Sequence, residues 1–141
     1  MKTGQFIKLI SIFILLFWGT NFLCGQSNNQ SLLTNKEWVN QIPGKAFYTT
    51  AFFTDKERVS KLFTEAGDGE VRNFYYLSDE IVDKFQHDSV GKNRNGKYIV
   101  TLYVRKTGEE YVELDEILEL SNTLLRTKHL RSGTILDYTF E

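Results

Sequence analysis

The sequence predicts an all-β protein, an antiparallel up-and-down meander of eight or nine strands closing into a barrel. β-branched and aromatic residues recur in short runs, and Gly and Asn turn signals separate those runs. In the clearest run, 97–105, Tyr98, Val100, Leu102 and Val104 fall on one face at period two, with Lys97, Thr101 and Arg105 on the other. Short strands at this spacing commonly close into a barrel or a sandwich.

Residues 1–25 read as a leader rather than as part of the barrel. Lys2 lies in a basic start, the apolar run from Phe6 to Trp18 is broken by Lys8 and Ser11, and the exit is Cys24-Gly25-Gln26. That is the three-part pattern of a secretory signal peptide, too short an apolar run to span a bilayer comfortably. Cleavage is expected after Gly25, whose small size suits a signal peptidase, so the product is expected to be exported, periplasmic or extracellular. Cys24 offers a rival reading, a lipid added to the thiol and a membrane tether; Leu23 is larger than the residue such a signal wants before its cysteine. Residues 26–31 are polar and uncharged and read as a flexible lead-in. Residues 32–141 form the barrel domain.

Strands are expected at 37–40, at 46–53, and from Asp68-Gly69 through Val71, Phe74, Tyr75 and Leu77. A hairpin is predicted to pair 81–90 with 97–105 across Asn95-Gly96, a dipeptide that tolerates positive φ. Thr107-Gly108 makes the next reversal into 110–114. A strand at 124–130 follows, and Ser132-Gly133 turns into 134–140, where Leu136, Tyr138 and Phe140 share a face. Only 55–66 resists. Thr54-Asp-Lys-Glu57 has the form of a capping box, Val59, Leu62, Phe63 and Ala66 lie at helical spacing, and Gly67 sits where a helix would stop. An α+β fold with one helix at about 55–66 is therefore the alternative.

Losing the leader removes Lys2 and Lys8 and moves the net charge from −1 to −3, which speaks against nucleic acid as a partner. The only cysteine, Cys24, goes with the leader, so no disulfide is expected and stability must come from an apolar core. Catalysis finds little support. His87 and His129 sit on separate predicted segments, His87-Asp88-Ser89 would point to alternating faces of a strand, and no Gly-x-Ser-x-Gly elbow occurs. The acids Glu109, Glu110, Glu113, Asp115, Glu116 and Glu119 could gather a hard cation. Without an organising loop, and with Glu113 and Asp115 alternating with Val112 and Leu114, they read as a solvated strand face. Lys92, Arg94 and Lys97 read as a soluble hairpin tip. No catalytic residue, cofactor or metal is expected.

Several segments resemble small secreted lipocalin-like proteins of bacterial envelopes. They are Phe74-Tyr75-Tyr76-Leu77-Ser78-Asp79, Val90-Gly91-Lys92, Asn95-Gly96-Lys97-Tyr98-Ile99-Val100 and Ile117-Leu-Glu-Leu120-Ser121-Asn-Thr-Leu124-Leu125. Leu32-Leu33 through Trp38 is similar to the lipocalin entry strand, where a tryptophan closes one end of the barrel. The resemblance turns 55–58 into a hairpin turn between strands ending at Thr54 and starting near Val59. It implies a non-catalytic protein holding a small apolar or amphipathic molecule inside the barrel. The alternative is an interaction protein with a filled barrel, binding an envelope protein or glycan on its outer face. The ligand-binding residues stay unknown at this level.

Overall fold

A computed structural model describes residues 29–92 and 95–141. A short helix α1 (Asn29–Leu33) is followed by β1 (Glu37–Gln41), β2 (Tyr48–Phe53), β3 (Glu57–Thr64) and β4 (Gly67–Ser78). A 3-10 turn (His87–Ser89) leads to β5 (Tyr98–Val104), β6 (Glu110–Leu120), β7 (Leu124–His129) and β8 (Ile135–Thr139). Each strand pairs antiparallel with the next, and β8 returns to β1, so the eight strands form a closed meander barrel compatible with a lipocalin-like fold. The leader and Cys24 lie outside the described residues. Asn29, Gln30 and Ser31, expected in the polar lead-in, belong to α1.

The helical alternative at 55–66 is corrected: 57–64 is strand β3, paired on both sides. The capping chemistry is present but closes a hairpin. Thr54 Oγ1 accepts from the backbone N–H of Glu57 at 2.9 Å and of Lys56 at 3.2 Å, while Thr54 N–H donates to the Glu57 carbonyl at 2.8 Å. A threonine hydroxyl can satisfy the same backbone donors in a tight turn as at a helix start.

The expected hairpin between 81–90 and 97–105 is also corrected. β5 pairs with β4 and β6, and 79–92 forms no strand. That segment is a strap over the outer wall. The Phe85 ring lies tilted against Tyr76, 5.1 Å between centroids, and the outward-facing Tyr76, Val100 and Leu102 are buried. Gly96 serves close approach rather than positive φ: a Cβ there would lie 2.5 Å from Ser78 N.

Cross-strand partners share a face, so register sorts the lumen from the outside. Trp38 opposes Ala51, Tyr75 opposes Thr101, and Leu125 opposes Tyr138. Trp38, Ala51, Tyr75, Leu125 and Tyr138, with Leu33, Phe53, Leu77 and Ile99, pack one end of the barrel shut. α1 seals that end: Trp38 Nε1 donates to the Leu33 carbonyl at 2.8 Å, and Asn35 N–H donates to Phe53 O at 3.0 Å. Trp38 is fully buried. The seam between β1 and β8 is short, with Val39 opposite Thr139 and the Asn40 amide donating to Asp137 O at 2.7 Å.

Candidate functional site

The other half of the lumen is polar. In β3 the inward positions are Arg58, opposite Phe53, and Ser60, opposite Ala51. In β6 they include Glu113, opposite the inward Thr101, and Asp115, opposite Ile99 on one side and His129 on the other. This corrects the reading of Glu113 and Asp115 as a solvated face. Val112 and Leu114 point outward instead, and the strap with Phe85 lies against Val112 in a groove of about 330 Å³. Apolar residues thus occupy a covered outer wall as well as the core, and alternation alone does not say which face is inside.

Arg58 crosses the lumen from β3 to β6. Its Nη1 donates to Asp115 Oδ2 at 2.7 Å, and the other carboxylate oxygen lies 2.9 Å from His129 Nδ1. The Arg58 and Asp115 side chains are only 12% and 10% exposed. Burial disfavours the guanidinium charge, but Tyr138, Asp115 and Tyr103 outweigh it, so the Arg58 pKa stands raised and the group remains a cation. Its face lies 5.6 Å from the Phe53 ring, at the boundary between the apolar and polar halves. Burial raises the pKa values of Tyr103 and Tyr138.

Three buried polar atoms on this inner wall have no hydrogen-bond partner: Arg58 Nε, Ser60 Oγ and Thr101 Oγ1. Arg58 and Ser60 are two apart on one face of β3. Thr101 is the diagonal neighbour of Asp115, which holds the guanidinium, so all three belong to the inner wall around the Arg58–Asp115 pair. The same inner face carries Val71, directly opposite Ser60, and Leu62, two residues further along β3, 51% and 42% exposed. The rim is completed by Tyr103 stacked on Tyr111 at 5.4 Å and by Arg131 3.7 Å from Glu113. Arg105 and Arg131 lie 5.2 and 5.6 Å from the Tyr111 ring.

The two histidines do not meet. His129 faces the lumen, whereas His87 sits on the exposed strap with Nε2 3.3 Å from Glu110 Oε2. Ser89 Oγ donates to Gln86 Oε1, not to His87. The six acids disperse as well. Glu109 pairs with Arg105, Glu110 with His87, Glu113 with Arg131, Asp115 with Arg58, Glu116 with Lys97 and Glu119 with Arg126. In the basic turn Lys97 is bound to Glu116 at 2.8 Å, and Arg94 lies outside the described residues. The inner Arg58, Ser60 and Thr101 escaped sequence reasoning because a polar residue on a strand reads as solvent-facing. The available signal was the odd phase of β3, which sets Arg58 and Ser60 against Val59 and Phe63.

Outer cavities offer less. A groove of about 370 Å³ beside the β2–β3 turn is lined by Asn35, Thr54, Asp55, Lys56, Glu57 and Phe74. Asn35, Asp55 and Lys56 are exposed there, so water can satisfy them without a ligand. The inner wall, where three buried polar side-chain atoms lack a hydrogen-bond partner, is the stronger candidate. No protein-family model matches this chain, and neither a curated protein nor a solved structure does.

Proposed function

We propose that this is an exported, non-catalytic, lipocalin-like binding module that takes a small amphipathic molecule through the open end of its barrel. The observation that carries the reading is the set of unpartnered Arg58 Nε, Ser60 Oγ and Thr101 Oγ1 on an inner wall that also carries the exposed Leu62 and Val71. An unsatisfied buried polar atom costs about 1–3 kcal/mol, so three on one wall favour a molecule that supplies partners. Polar groups fixing orientation inside an apolar enclosure are the usual make-up of a ligand site. The closed eight-stranded barrel and its buried Trp38 support the lipocalin-like placement, and the leader supports export to the bacterial envelope.

The test is a fluorescence titration of the protein with the neutral apolar probe 1-aminoanthracene. Saturable one-to-one binding is expected, weakened about tenfold in the Leu62→Glu/Val71→Glu double variant. A linear, unsaturable signal would sink the proposal. A second reading, a filled barrel with a partner on its outer face, draws on Tyr48 and Phe63, which stack outside at 4.5 Å with Tyr48 partly exposed. Probe binding that responds to Tyr48→Ser and not to the mouth variants would favour it.

A further inference from the structure

We infer that the ligand enters head first and that its buried head is an uncharged hydrogen-bond acceptor, a carbonyl, ester or similar oxygen, rather than a free acid. The inference rests on the proposed binding function and adds orientation and head chemistry to it. The orientation follows from the order of the layers. Arg58 and Thr101 lie across from Phe53 and Tyr75 of the apolar plug, and along β3 the inward positions then run through Ser60, whose register partner is the exposed Val71, to the exposed Leu62. A molecule that satisfied both would place its oxygen inward and its hydrocarbon body against the mouth.

The head chemistry follows from charge. Arg58 Nε–H can only donate, and the hydroxyls of Ser60 and Thr101 can donate as well, so the layer asks for an acceptor. The Arg58 charge is already matched by Asp115. Arg131 is matched by Glu113, which lies opposite Thr101, and Arg105 by Glu109. Leaving His129 aside, the inner wall therefore carries paired charges and no surplus cation among the described residues. A carboxylate lodged beside Asp115 would bring a second anion into a site of low polarity, where like charges repel strongly and desolvation is costly. A carbonyl oxygen would take the free N–H and O–H groups without that cost.

Competition with bound 1-aminoanthracene by 2-decanone and by decanoate at pH 8, where the acid is ionised, separates the possibilities. The ketone is expected to displace the probe at least tenfold more effectively than decanoate. Thr101→Val and Ser60→Ala should each weaken the ketone about three- to tenfold while leaving the unfolding midpoint of the ligand-free protein in urea no lower, and for Thr101→Val higher, because an unsatisfied buried hydroxyl is removed. Should either variant fail to fold, the carbonyl 13C resonance of labelled 2-decanone gives an independent reading in the unaltered protein: a downfield shift on binding is expected from donation to the oxygen. Equal or tighter binding of decanoate, or an unshifted carbonyl, overturns the inference while probe binding keeps the wider reading. If the probe binds and neither competitor displaces it, the inference falls alone. If the probe itself does not bind, both fall, and the free donors are satisfied by water.

Discussion

Deleting the Asp115 carboxylate would strand the Arg58 guanidinium inside the barrel, since the two are 2.7 Å apart and almost wholly buried. Breaking one side of such a pair typically costs about 3–5 kcal/mol, whereas replacing both with apolar residues of similar volume is often neutral. Asp115→Ala is therefore expected to lower stability in urea by that amount. Arg58→Met/Asp115→Leu should recover most of the loss, and a double variant as unstable as the single one would mean that the pair itself holds the barrel. Gly96→Ala tests a different residue-scale constraint. Its Cβ would come within 2.5 Å of Ser78 N and 2.8 Å of Leu77 C, backbone atoms that cannot swing aside. A loss of about 1–3 kcal/mol is expected from this overpacking, against about 1–2 kcal/mol for Gly108→Ala, where there is open space but φ is +85°. Parallel urea melts of the two variants give the comparison. At this scale the sequence showed Trp38 and the shared face of Leu136 and Tyr138, because a large apolar side chain on a short strand has few other places to go. It hid Asp115 and His129, because their burial depends on partners 57 and 14 residues away.

Elements were more legible than side-chain directions, since turn chemistry is local and facing is not. The reversals at Thr107-Gly108 and Ser132-Gly133 stand where the sequence put them, with Gly108 at φ +85° and Gly133 at φ +71°. The 55–66 segment misled for a physical reason: the Thr54 hydroxyl accepts the same i+3 N–H in a hairpin turn as it would at a helix start. Replacing it by Val keeps the β-branched shape and removes the acceptor. Thr54→Val is expected to cost about 1 kcal/mol and to speed amide exchange at Lys56 and Glu57 relative to the strand centres. Unchanged exchange there would show that the β2–β3 ladder alone sets the turn. The strap misled differently. Residues 81–90 contain enough apolar side chains to resemble a strand, yet Phe85 is used to cover Tyr76 from outside. The outer face of β5 already needs that cover, because Val100 and Leu102 point away from the lumen.

The barrel as a whole is layered, with an apolar plug at the α1 end, a charge-paired polar layer in the middle and a mouth that is apolar and aromatic. The fold class was readable because eight short runs with tight turns have few antiparallel solutions; the layering was not, because it is set by closure, which brings β3 and β6 face to face. Closure also has a consequence for alkaline stability. Tyr75, Tyr76, Tyr103 and Tyr138 all have raised pKa values, with burial as the main cause in each. In the unfolded chain they would ionise near pH 10. Above that pH the unfolded state releases protons that the folded state still holds, so stability falls as pH rises. Below about pH 10 both states keep the phenols protonated and this contribution is constant. Absorbance at 295 nm, followed alongside far-ultraviolet circular dichroism from pH 8 to 13, should therefore show two stages. The first is the ionisation of accessible tyrosines without loss of β signal. The second is a cooperative rise in phenolate that coincides with loss of the sheet. If all seven tyrosines titrated in one step near pH 10 while the β signal held, the phenols would be reached by hydroxide in the folded barrel, and the packed plug described for the α1 end could not be dry.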